Sequence, residues 1–189
     1  MRGFVLWVAL LASATATAAA ADCARTDTDV TLRRLMGGQE NLCRTYGGRV
    51  LLVVNVASHC GFTPQYEALE QIYQRYRDEG LVVLGFPSAD FGGQEFEDED
   101  RIARFCKVNF GVSFPMFGKS VVSGPGANPL FAKLGARTGK TPQWNFNKYL
   151  IGRDGRVIAH YPSGVRPDDP QLEQAIRSAL SADVATTDP

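Results

Sequence analysis

The sequence of 189 residues lacks the features that would link it to a metal or to nucleic acid. It has four cysteines but no Cys-x-x-Cys pair, and it has only two histidines, so we expect no structural zinc site. The formal net charge is zero, and no basic field therefore favours nucleic acid as a partner. None of these properties determines the oligomeric state.

Long hydrophobic runs are also absent. The most apolar stretch, residues 4–11, is far shorter than the ~20 residues that a membrane-spanning helix needs. It follows Arg2 and precedes small residues that end in alanines 18–21, which is typical of a secretory signal peptide. We expect residues 1–21 to be cleaved and residues 22–189 to form a single exported domain, secreted or periplasmic, with no stable membrane insertion.

Two of the cysteines flank a polar segment near the start of the expected mature chain. In an oxidising compartment, a Cys23–Cys43 disulfide would fix this N-terminal segment, and two unpaired thiols are the alternative. Between them, Leu32, Leu35 and Met36 have a spacing that predicts one or two helical turns.

The third cysteine follows the most regular stretch of the chain. Residues 50–56 are almost all aliphatic and predict a strand that is buried on both faces. After a short turn and Cys60, Thr63 and Pro64 are expected to open an amphipathic helix as its N-cap and first residue. Unpaired N–H groups and the positive dipole end at a helix N-terminus favour an anion, so we predict a nucleophilic thiolate at Cys60.

The surrounding pattern predicts an α/β fold. The helix after Cys60 has an apolar face at i, i+3, i+4 and i+7 from Leu69, and residues 81–86 read as a second buried strand. A strand–helix–strand unit makes a parallel pair, and open α/β sheets place their sites at the carboxyl ends of such strands. A strand over 144–151, a turn at 154–155 and a last helix from Pro170 complete a thioredoxin-like pattern, with a central mixed β-sheet flanked by helices.

The fourth cysteine lies in a later helix that the acidic residues 95–100 are expected to begin. Cys106 falls on or beside the apolar face of this helix, so it is either a small core residue or a reactive thiol. Thr63 stands where a local dithiol would need its second cysteine. A sulfenic acid at Cys60 would therefore need a distant thiol to resolve it. Further on, Pro115 is a candidate cis-proline in an extended piece.

Four segments resemble, in order and spacing, the glutathione peroxidase family. They are residues 55–66 (NVASHCGFTPQY), 85–95 (GFPSADFGGQE), 105–115 with its Phe-Cys start and Gly-Val-Ser-Phe-Pro end, and 144–148 (WNFNK). The resemblance extends from about Tyr46 to the C-terminus. It implies reduction of hydrogen peroxide and organic hydroperoxides in a thioredoxin-like fold without a bound cofactor.

Matched residue by residue, the resemblance assigns roles. Cys60 takes the peroxidatic position, Trp144 and Asn145 take positions around the reacting sulfur, and Cys106 takes the resolving position of the two-cysteine members. Those members mostly use thioredoxin, so the resemblance implies a thioredoxin-like or low-molecular-weight thiol reductant. The preferred hydroperoxide and the physiological reductant do not follow from the sequence.

The sequence departs from the family at two positions. Asp90 stands where the family has a glutamine, and Ser88 where it has a cysteine. A carboxylate at Asp90 would repel a thiolate unless it is protonated or turned away. It could instead accept a proton during thiol activation, and we keep it among the catalytic candidates.

Two further interpretations remain open. Cys60 and Cys106 would also serve a redox sensor or a disulfide relay. A thioredoxin-fold binding module would need neither cysteine. Elsewhere, an exposed strand lysine is the expectation for Lys148, although it could attract an anionic reductant.

Overall fold

The computed structural model of the protein describes residues 23–182. The predicted signal peptide, residues 1–21, lies outside this range. Within the range, no helix combines the length and the apolar character needed to cross a membrane.

A four-stranded mixed sheet forms the centre of the fold. Two short strands, β1 (Thr31–Arg33) and β2 (Gln39–Asn41), form a separate antiparallel pair. The central strands are β3 (Val50–Val56), β4 (Leu81–Pro87), β5 (Lys148–Ile151) and β6 (Val157–Tyr161), in the order β4-β3-β5-β6. Strand β3 is parallel to β4, as the predicted strand–helix–strand unit requires, and it is antiparallel to β5.

Helices cover both faces of this sheet. They are α1 (Leu42–Tyr46), α2 (Gln65–Tyr76), α3 (Glu99–Phe110), α4 (Pro129–Thr138) and α5 (Pro170–Ser181). Alternate residues of β3 enter two separate apolar cores. One core contains residues of α2, α3 and α5, and the other contains residues of α1 and α4. Every residue of β3 is buried, which confirms the strand predicted to be covered on both sides.

Three local predictions are wrong. The segment with Leu32 and Met36 forms β1, a turn and β2 instead of helical turns, and Met36 is 69% exposed in that turn. Strand β5 begins at Lys148, four residues later than predicted. No peptide bond within residues 23–182 is cis, so Pro115 does not have the conformation suggested for it.

The N-terminal segment is fixed at two points. Cys23 and Cys43 form a disulfide, as one of the two sequence alternatives proposed. Asp27 is buried, forms an ion pair with Arg137 of α4 at 2.9 Å, and accepts a hydrogen bond from the Val157 N–H of β6 at 3.0 Å. The disulfide and the Asp27 contacts together attach this segment to the main body of the fold.

We expect a Cys23→Ala/Cys43→Ala variant to lose about 3 kcal/mol of unfolding free energy, because the bridge restricts a loop of 20 residues in the unfolded chain. Urea denaturation at equilibrium measures this difference. Reduced wild type is the matched control and is expected to coincide with the variant. Equal stability of the oxidised wild type and the variant would show that the bridge contributes nothing.

Candidate active site

Cys60 lies in the turn that follows β3, and it is a buried free cysteine with 7% of the residue exposed. The Phe62 N–H donates to Cys60 Sγ at 3.4 Å, which stabilises negative charge on the sulfur. The Cys60 N–H donates to Thr63 Oγ1 at 3.0 Å, and this hydroxyl donates to the Ala57 carbonyl at 2.8 Å. Thr63 therefore holds the turn closed.

The predicted start of the following helix is wrong by one residue. Helix α2 begins at Gln65, and Pro64 occupies its N-cap without a side-chain capping bond. Thr63 cannot act as the N-cap because its hydroxyl is already used inside the Cys60 turn. The apolar face of the helix is as predicted, with Leu69, Ile72 and Tyr76 buried.

Residues 144–147 form a loop that is bound to the end of β3. Asn55, near the carboxyl end of β3, donates from Nδ2 to the Trp144 carbonyl at 2.9 Å and accepts from the Asn147 N–H at 3.0 Å. Its own carbonyl accepts from the Phe146 N–H at 2.6 Å. Phe146 has φ of 62°, a left-handed conformation that interrupts an extended strand. This explains why β5 begins only at Lys148.

Trp144 and Asn145 have different environments within this loop. Trp144 is 40% exposed, and its ring lies 5.8 Å from that of Phe91. Asn145 is fully buried, and its Nδ2 donates to Gln94 Oε1 at 3.1 Å while its carbonyl accepts from Ser163 Oγ at 2.6 Å. Asn145 Oδ1 is buried and has no hydrogen-bond partner among residues 23–182.

Asp90 is directed toward a different segment. Its Oδ2 accepts from the Val122 N–H at 2.7 Å, from the Ser123 N–H at 3.0 Å and from Ser123 Oγ at 3.2 Å. The carboxylate thus anchors the loop at 122–123. Ser88 is buried, and its hydroxyl accepts from the Asp90 N–H at 3.3 Å.

Cys106 is a free thiol on the face of α3 that packs against the core, and 2% of the residue is exposed. Burial raises the pKa of this thiol to about 11, so it is protonated at neutral pH. The helix that carries it begins later than the acidic run predicted. Asp98 caps it by accepting from the Asp100 N–H at 2.8 Å, and Glu95 is buried ahead of it.

Lys148 is completely buried, which contradicts the expectation of an exposed strand lysine. Its Nζ donates to Gln65 Oε1 at 2.5 Å, to the Phe146 carbonyl at 2.8 Å and to the Val165 carbonyl at 2.6 Å. Burial lowers the pKa of this amine to about 7. The lysine joins the start of α2, the 144–147 loop and the segment before α5.

Sequence reasoning gave no role to Asn55 or Gln65, although both stand in segments quoted for the resemblance. A polar residue inside a buried aliphatic strand is a signal that could have identified Asn55, because such a group must find partners. Gln65 carries no comparable signal, since it lies next to a turn, where polar residues are ordinary. Within residues 23–182, no group of three or more potential ligands could hold a metal ion.

A family model described as glutathione peroxidase matches residues 19–135. This span includes Cys60, Asp90 and Cys106 and ends before Trp144 and Asn145. The match therefore starts earlier and ends earlier than the resemblance drawn from the sequence.

Three curated relatives illustrate the similarity. "Glutathione peroxidase-like peroxiredoxin GPX5" of Chlamydomonas reinhardtii is 44% identical over 149 residues, which cover 76% of this chain and 92% of its own length. "Hydroperoxy fatty acid reductase gpx1" of Synechocystis is 42% identical over 144 residues, covering 71% and 85%. "Thioredoxin/glutathione peroxidase BtuE" of Escherichia coli is 39% identical over 168 residues, covering 76% and 92%.

Solved structures confirm the fold class. The crystal structure of T. cruzi GPX1 is 28% identical with a TM-score of 0.67, and the match covers 82% of this chain and 97% of that one. A thiol:disulfide interchange protein of the thioredoxin family from Chlorobium tepidum is 12% identical with a TM-score of 0.61, covering 80% and 92%. The second similarity concerns the fold alone, and it supports the predicted thioredoxin-like architecture.

Proposed function

Because this chain belongs to the glutathione peroxidase family, we propose that Cys60 reduces hydrogen peroxide and organic hydroperoxides and that Cys106 resolves the oxidised Cys60. One observation carries this proposal. Of the four cysteines, two form a disulfide in the N-terminal segment, and the two that remain free are Cys60 and Cys106. They are therefore the two thiols available for a redox cycle.

In the first step, the Cys60 thiolate attacks the distal oxygen of the hydroperoxide. An S–O bond forms and the O–O bond breaks, which yields a sulfenic acid on Cys60 and, after protonation, water or an alcohol. The Phe62 N–H supports the charge on the sulfur before attack. Trp144 and Asn145 are the proposed polar groups around the reacting oxygens, and the predicted role of Asp90 stays a prediction.

In the second step, the Cys106 sulfur attacks the Cys60 sulfur. A disulfide forms, the S–O bond breaks, and the thiol proton leaves with the hydroxyl group as water. The resting Cys106 is a buried, protonated thiol in a helix, and a protonated thiol is a poor nucleophile. The residues of α3 around Cys106 must therefore rearrange before the attack, and an external thiol then reduces the disulfide.

We also propose that the protein acts in an exported, oxidising compartment. The Cys23–Cys43 disulfide supports this location, because structural disulfides persist where the environment is not reducing. The reductant would then be a thioredoxin-like protein or a small thiol of that compartment.

A peptide map under non-reducing conditions tests the proposed cycle. The mature protein is digested before and after one equivalent of hydrogen peroxide. We expect a Cys60–Cys106 peptide only after peroxide and a Cys23–Cys43 peptide in both samples. Cys60 halted at sulfenic or sulfinic acid beside reduced Cys106 would contradict the resolving role. An unmodified Cys60 would contradict the peroxidase function.

A further inference from the structure

Gln94 connects the Cys60 turn with the buried amide of Asn145. The Gln94 carbonyl accepts a hydrogen bond from the N–H of His59, the residue directly before Cys60, at 3.0 Å. The side chain of the same glutamine accepts from Asn145 Nδ2 at 3.1 Å. One residue thus fixes the backbone beside the sulfur and the side chain of a proposed catalytic group.

The bond to Gln94 also sets which end of the Asn145 amide is available. Nδ2 is used by Gln94, and the backbone carbonyl of Asn145 is held by Ser163 Oγ at 2.6 Å. Within residues 23–182, the buried Asn145 Oδ1 has no donor. An unpaired buried amide oxygen is unfavourable, so this atom is suited to accept a hydrogen bond from a ligand.

No other described side chain binds the Asn145 amide. The Asp90 carboxylate is occupied by Val122 and Ser123. Among the described side chains, Gln94 is the one with a hydrogen bond to the Asn145 amide group.

We propose that Gln94 is a positioning residue that holds the Asn145 amide so that its Oδ1 accepts the O–H of the hydroperoxide during attack by Cys60. Gln94 acts through Asn145 and does not itself contact the substrate. This inference rests on the proposed peroxidase function and extends it to a residue outside the predicted catalytic set.

The test measures the rate constant of Cys60 oxidation in a single turnover, with quenched samples analysed by mass spectrometry. We expect Gln94→Leu and Gln94→Ala to slow this step roughly tenfold to a hundredfold, because the amide is no longer held in its reactive orientation. Formation of the Cys60–Cys106 disulfide from preformed sulfenic acid should change by less than about twofold. Gln171→Leu, at an exposed glutamine of α5, is the matched control and should react like wild type.

A double-mutant cycle separates positioning from a general structural effect. If Gln94 acts through Asn145, then Gln94→Leu should add less than about twofold to the defect of Asn145→Ala. Full additivity, or a Gln94→Leu variant that reacts as fast as wild type, would overturn the inference. Thermal unfolding confirms that each variant is folded, and the smaller alanine substitution serves if the leucine variant is not. A wild type whose Cys60 does not react would refute the proposed function itself.

Discussion

A Cys60→Ser variant is expected to lose hydroperoxide reduction by a factor on the order of 10⁴ or more, because a serine hydroxyl has no comparable nucleophilic form at neutral pH. Cys106→Ser should behave differently. The first equivalent of peroxide should still oxidise Cys60 in this variant, but Cys60 should then remain a sulfenic acid. Steady-state turnover with a dithiol protein as the reductant should then fall to a small fraction of the wild-type rate.

Two measurements distinguish these variants. Peroxide consumption in a single turnover reports the first step, and dimedone labelling of Cys60 reports the persistent sulfenic acid. The Cys23→Ala/Cys43→Ala variant is the control, since it keeps both Cys60 and Cys106. A Cys106→Ser variant that turns over as fast as wild type with the dithiol protein would exclude Cys106 as the resolving residue.

Lys148→Met should destabilise the protein by about 3–5 kcal/mol at pH 9 and should also impair the proposed site. The substitution removes the donor that Gln65 Oε1 and the carbonyls of Phe146 and Val165 share in a buried region, and the neutral amine present at pH 9 can serve two of these three acceptors. Each unpaired buried acceptor costs about 1–3 kcal/mol. The 144–147 loop loses one of its attachments, so Cys60 oxidation should slow as well. Lys140→Met, at an exposed lysine, is the matched control.

The destabilisation should depend on pH in a defined direction. Burial lowers the pKa of Lys148 from the ordinary 10.5 to about 7, so between these values the unfolded chain binds more protons than the folded protein. The contribution of Lys148 to the free energy of unfolding of the wild type therefore increases as the pH rises from 7 to 10.5. It decreases when the pH is lowered over the same range. Urea denaturation at pH 6 and pH 9 should show a larger gap between wild type and Lys148→Met at pH 9. A gap that is larger at pH 6 would contradict this assignment.

The scaffold of the site was predictable because it depends on short-range patterns. The aliphatic run of β3, the spacing from Leu69 in α2 and the small residues around Cys60 each act within a few positions of the chain. These features identified the position of Cys60 and the parallel strands beside it.

The polar interior of the site was less predictable because its partners are distant in sequence. Lys148 looks like an exposed strand residue until Gln65 and Val165 supply acceptors for it. Asp90 has no local signal that directs it to Val122. Residues 144–147 alternate like a strand, but the contacts with Asn55 and the left-handed Phe146 make them a loop. In each case a tertiary hydrogen bond outweighs the local pattern.

The Cys23–Cys43 bridge has a consequence for the biogenesis of the protein. Four thiols permit three complete pairings, and two of these pairings would bind both Cys60 and Cys106 to the N-terminal segment. If the chain is exported with its N-terminus first, Cys23 and Cys43 enter the oxidising compartment before Cys60 and Cys106 do. Closure across only 20 residues can precede the arrival of the remaining thiols. The order of translocation would thereby protect the proposed catalytic pair from scrambling during maturation.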